Sequence, residues 1–164
     1  MQAAAPGLSR DDLWELVRAY VKELGVVRQH IDSYNAFLEQ GLQRIVDEVG
    51  GIKVEAHGVE VKFGKIEVGN PTFKEADGSE IYLTPMIARL RNITYAAPLY
   101  LHMSFYVDGE ERRRERVFIG MLPIMVRSSK CVLSNLPPEE LVKLGEDPYD
   151  PGGYFIVNGS ERVV

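Results

Sequence analysis

Pro148 to Glu161 carry the strongest local constraints on how this chain folds. Asp150-Pro151-Gly152-Gly153 reads as a turn, because the proline ring fixes φ and the two glycines admit positive φ. Tyr154 to Val157 follows as a short apolar strand. Asn158-Gly159 is the dipeptide favoured where a two-residue hairpin needs positive φ at both central positions. Arg162-Val163-Val164 then starts a return strand, and the chain stops inside it, so residues 1–164 are read as a truncated, incomplete domain.

Upstream, the apolar period changes once. Ser9 with Asp12 predicts a capped helix start, and Leu13, Leu16, Val17, Tyr20, Val21 and Leu24 recur at helical spacing up to Gly25. A second helix is expected from Arg28 to Val49, stopped by Gly50-Gly51, with Gly41 in its middle predicting close packing against a neighbour. From Ile52 the period moves towards two. Val59 to Val68 reads as a small hairpin or bulged pair around Gly64-Lys65, and Leu99 to Val107 as a strand with one core face. Asp108-Gly109 turns the chain, and Arg116 to Val126 is expected to be a buried strand interrupted by Pro123. Pro137-Pro138-Glu139-Glu140-Leu141 opens a last short helix. The fold class is α+β: two N-terminal helices, then a mainly antiparallel sheet with a short helix and a terminal hairpin.

Composition narrows the function classes. At 164 residues and 45% hydrophobic, the chain has enough apolar material for one sizeable core. A net charge of −5 argues against a free-standing nucleic-acid binder, which would carry a basic field. The single Cys131 excludes an internal disulfide and a multi-cysteine zinc site. No apolar run approaches membrane-spanning length and Met1 to Gly7 lacks signal-peptide regions, so a cytoplasmic protein is expected.

Few side chains suggest chemistry. His30, His57 and His102 stand in no metal-ligand spacing, and Cys131 reads as structural. Asp147 and Asp150 lie in a proline-stiffened turn, which suits a metal pair poorly. Arg112-Arg113-Arg114 and Arg116 alternate with acids and read as a solvated hairpin tip. Arg127 and Lys130, after the Pro123 to Val126 strand, could contact a phosphate backbone; alternatively Arg127 pairs with a carboxylate of its own fold or of a partner. Arg89 and Arg91 are expected on one side of a strand and invite the same two readings.

Four blocks in order carry a resemblance: Arg28 to Phe37, Pro85 to Tyr100, Gly120 to Ser128, and Pro148 to Glu161. Together they resemble the second-largest subunit of archaeal and eukaryotic multisubunit DNA-directed RNA polymerases, in the N-terminal part called the protrusion. The resemblance implies a non-catalytic structural segment of a nucleotidyltransferase. It would form one side of the cleft and contact other polymerase subunits, the DNA template, the RNA–DNA hybrid and general transcription factors. It also implies no cofactor here, since Mg2+ in the whole enzyme is held by another subunit. The short stretch before the first helix favours an archaeal source. The alternatives are a free-standing truncated interaction module that binds a transcription factor or polymerase subunit, and direct nucleic-acid binding by the chain alone.

Overall fold

A computed structural model describes residues 9–54 and 58–164 of the chain. His57 and the segment Met1 to Gly7 lie outside the described residues. The first helix, α1 (Arg10–Leu24), begins as its sequence dictates: the Ser9 side chain accepts from the Asp12 amide, and the Asp12 carboxylate accepts from the Ser9 amide. That reciprocal box satisfies two otherwise orphaned donors of the first turn. None of the α1 side chains is buried, and its apolar stripe faces outward.

The expected second helix is continuous in path but not in winding. It consists of α2 (Arg28–Ala36), a π-helical turn over Phe37–Gly41, and α3 (Leu42–Val49). The neighbour that Gly41 packs against is within the same helix. A Cβ on Gly41 would lie 2.9 Å from Cδ2 of the Phe37 ring, so the extra residue of the π turn is accommodated where no side chain stands.

The main sheet has strand order β1-β2-β5-β6 and is antiparallel throughout, with β1 (Gly51–Val54), β2 (Val59–Val68), β5 (Ala96–Val107) and β6 (Glu110–Pro123). Val59 to Val68 is one bulged strand, its register shifting between Phe63 and Ile66. A small sheet pairs β3 (Thr72–Lys74) with β4 (Glu80–Tyr82), and the terminal hairpin pairs β7 (Phe155–Val157) with β8 (Ser160–Arg162). Two short helices, α4 (Pro85–Leu90) and α5 (Pro138–Lys143), complete the fold. Helices and antiparallel strands thus form the expected α+β arrangement.

Three expectations are corrected. Residues 85–90 form a helix, so Arg89 and Arg91 do not share a strand face: Thr84 accepts the Ile87 amide as N-cap, and Pro85 at the first helical position supplies a pre-set φ. Arg112 to Arg114 lie within β6, because the turn consists of Asp108 and Gly109 alone, at φ 52° and 83°. The strand that contains Val117 to Leu122 is not buried. Among the described residues it has only β5 beside it, and Phe118 and Met121 are 54% and 50% exposed.

The core gathers where β5 begins and β6 ends. Tyr95, Ala97, Ile124, Val126 and Ile156 pack with Leu83, Ala88, Cys131, Leu133 and Leu141. Backbone bonds stitch this region: Tyr95 donates to the Ile156 carbonyl, Ile124 to Tyr95, Val126 to Tyr154, and Gly153 back to Val126. Gly152 is where the chain passes closest. A Cβ there would sit 2.4 Å from Cγ of Arg127 and 2.6 Å from the Val126 carbonyl oxygen, with φ at 71°. Gly109 has a similar φ of 83° and open space around it. We expect Gly109→Ala to cost about 1 kcal/mol from backbone strain alone. Gly152→Ala should cost roughly 3 kcal/mol or more, because steric overlap adds to the strain. Midpoints of urea denaturation separate the two, and equal losses would refute the close-approach account.

Candidate functional site

The densest polar cluster is centred on Arg89. It lies one turn after Pro85 on α4, and its guanidinium reaches three segments distant in sequence. Nη1 donates to Oε2 of Glu146 at 2.9 Å, Nε to Oε1 of Glu161 at 2.9 Å, and Nη2 to the Tyr154 hydroxyl at 2.6 Å. Tyr154 in turn donates to Oδ2 of Asp150. Glu146 is buried, and its second oxygen accepts the Met86 amide at 2.6 Å, a donor of the first turn of α4 with no intrahelical partner. An open cavity of about 510 Å³ borders this cluster.

The electrostatics favour permanence over proton transfer. Burial alone would lower the Arg89 pKa, but the hydrogen bond of Glu146, together with Tyr154, the Glu146 charge and the hydrogen bond of Glu161, outweighs it and raises the value. Burial, followed by the hydrogen bond to Asp150, pushes the Tyr154 phenol upward, so it stays a donor at neutral pH. Cys131 is buried in the core and its thiol is raised by desolvation, which suits packing and not nucleophilic attack. Asp147 and Asp150 each accept a backbone amide two residues on, from Tyr149 and Gly152. No group of three or more metal-ligating side chains occurs among the described residues.

The four basic residues singled out in the sequence do not converge. Arg89 is enclosed by its acids, while Arg91 pairs with Glu75 beside the small sheet. Arg127, at φ 68°, donates to the Leu133 carbonyl at 3.2 Å, so its partner among the described residues is a backbone oxygen and not a carboxylate. Lys130 is exposed and donates to the Val68 carbonyl at 3.2 Å. The turn residues Pro151, Gly152 and Gly153 carry the chain past Val126. Asn158 and Gly159, at φ 50° and 77°, form the hairpin tip, with the Gly159 amide on the Ile93 carbonyl. Glu146, Tyr154 and Glu161 were not legible as partners of Arg89, since sequence separations of 57 to 72 residues leave no local signal. The pair Thr84-Pro85 was such a signal for α4, and would have moved Arg89 from a strand to a helix.

Removing one side of a buried ion pair strands the other. We expect Arg89→Met to destabilise the fold by about 3–5 kcal/mol, because Glu146 keeps a buried charge. Combining it with Glu146→Leu should recover much of that loss. Urea denaturation of both variants checks this, and a double variant no more stable than the single would refute the stranded-charge account.

Comparison with known proteins is extensive. Residues 25–164 match the family described as RNA polymerase beta subunit. The DNA-directed RNA polymerase subunit Rpo2 of Saccharolobus shibatae is 51% identical over 157 residues, which cover 96% of this chain and 14% of that protein. Subunit Rpo2N of Methanocaldococcus jannaschii is 52% identical over 155 residues, covering 92% and 31%. DNA-directed RNA polymerase II subunit 2 of Arabidopsis thaliana is 40% identical over 180 residues, covering 96% and 15%. The chain thus spans between about a seventh and a third of the length of these relatives. On this match and the α+β fold it accompanies, the chain belongs to the RNA polymerase beta subunit family and corresponds to the N-terminal part of its second-largest subunit.

Proposed function

We propose that this chain serves as a structural, non-catalytic wall segment of a DNA-directed RNA polymerase, the enzyme that joins nucleoside triphosphates into RNA on a DNA template. The observation that carries this reading is the near-complete alignment of the chain with a small share of polymerase subunits. Two features of the structure support it. The polar groups of the Arg89 cluster bond to one another, which suits a scaffold. Apolar side chains do the reverse: Trp14, Leu16 and Tyr20 on α1 and Phe118 and Met121 on β6 are exposed. Patches of that kind mark surfaces that other protein covers.

In this role the chain contacts other polymerase subunits and general initiation factors through apolar surface. Nucleic acid is met at isolated surface cations such as the exposed Arg91. Such contacts give affinity for phosphates without reading sequence. Metal-dependent nucleotidyl transfer is assigned to another subunit of the assembly.

The alternative is a free-standing interaction module, and size separates the two. We expect tryptic peptides from Asp147 to Arg162, followed by mass spectrometry across size-fractionated cell extract, to peak with the high-mass fractions that synthesise RNA from added DNA. Their appearance only in a chain of about 18.5 kDa, away from that activity, would overturn the polymerase reading.

A further inference from the structure

Two departures from regular geometry lie side by side in this fold. The π turn Phe37–Gly41 interrupts the second helix, and the bulge between Phe63 and Ile66 interrupts β2. One side chain locks them together: the Gln43 amide donates to the Gly64 carbonyl at 3.2 Å and accepts the Ile66 amide at 3.0 Å. Gln43 therefore supplies, from the helix, bonds that a neighbouring strand would otherwise make. Irregularities of both types cost regular hydrogen bonds and concentrate at functional sites.

Residues from both stretches line one cavity of about 430 Å³. Leu38 and Leu42 from the helical side, with Ile66 and Val68 from the strand, give it an apolar wall. Its rim is cationic. Lys65 comes from the bulge, Arg116 from β6, and Lys130 from the turn after Val126. The turn is fixed in place, since the Ser129 amide donates to Oδ1 of Asn35 and Lys130 to the Val68 carbonyl. Of the two rim carboxylates, Glu67 is already shared by Lys65, His102 and Arg116. The ammonium of Lys130 has no carboxylate partner among the described residues.

We propose that this cavity is a docking site for an acidic linear peptide of a partner protein, which inserts one apolar side chain between the π turn and the β2 bulge and sets flanking carboxylates against Lys65, Arg116 and Lys130. An apolar wall with a few convergent charges is the pattern of a pocket that takes a side chain. A phosphate backbone fits less well, because it offers nothing to the leucine and isoleucine wall. The proposal concerns a different face from the Arg89 cluster and does not depend on the polymerase assignment.

The test uses the native polypeptide containing this chain, purified by a tag with whatever assembles on it. The probe is a fluorescein-labelled peptide with one leucine flanked on both sides by glutamates, followed by fluorescence anisotropy. We expect saturable binding that weakens about tenfold when Lys65→Glu and Lys130→Glu are combined. Leu38→Gln, which leaves the cations in place, should weaken it comparably, as should glycine in place of the probe's leucine. Affinity unchanged by both protein variants, or equal for the leucine and glycine probes, would overturn the proposal. Displacement of the peptide by an equal concentration of short oligothymidylate would overturn it too, by assigning the site to nucleic acid.

Discussion

Arg89 ties three separate segments of the last third of the chain to one helix. Its guanidinium joins α4 to Glu146 after α5, to Tyr154 ahead of β7, and to Glu161 on β8. These segments share little regular pairing, so few backbone ladders fix their relative positions. A planar fork with donors in set directions can do so, where a flexible ammonium would not. Such a buried pair is weak evidence of net stability, since desolvation cancels much of the attraction. Its consequence is geometric: with Glu146 held by both Arg89 and the Met86 amide, the chain from Leu144 to Tyr154 has one place to lie.

The same logic governs the sheet. β1 spans only Gly51 to Val54, so most of β2 lacks a strand on its outer side. Phe63 donates to the Gly50 carbonyl, and Gln43 serves Gly64 and Ile66, which leaves the bulge satisfied by the helix. At the opposite edge β6 has no such cover among the described residues. Its first half is protected by charge, with Arg112, Arg113 and Arg114 each beside a glutamate. Alternating charge discourages edge pairing; the apolar run from Val117 to Leu122 has no such guard.

What was legible in the sequence follows from the range of the forces involved. Caps and turns depend on neighbours within four residues, so the Ser9–Asp12 box and the Asp108-Gly109 and Asn158-Gly159 hairpins could be read directly. Periodicity located β2, β5 and the first two helices. It misjudged β6, because apolar density says that a residue prefers burial and not that the fold has a partner for it. It also missed the π turn: Gly41 predicts a close neighbour, and the ring of Phe37 in the same helix is that neighbour. The Arg89 cluster was illegible for a different reason. Ion pairs across 57 to 72 residues exist only once α4, α5 and the terminal hairpin have been brought together.

A contrast between polar and apolar groups then bears on the proposed placement of this chain within a larger body. The carboxylates around Arg89 are spent on it, and the Cys131 thiol and the Tyr95 and Tyr154 phenols have their pKa values raised by burial. Apolar side chains on α1 and along β6 are about half exposed, and burying the rest of each would be favourable by about 1 kcal/mol. A chain evolved to work alone would lose solubility from such surface, and one evolved to sit within a larger body would gain contact energy. Surface of this kind belongs with a family in which the matched segment is a minor share of the subunit. On the proposed reading, the contacts of the segment are to be sought in what covers α1 and β6, and in the cation-rimmed cavity between the π turn and the β2 bulge.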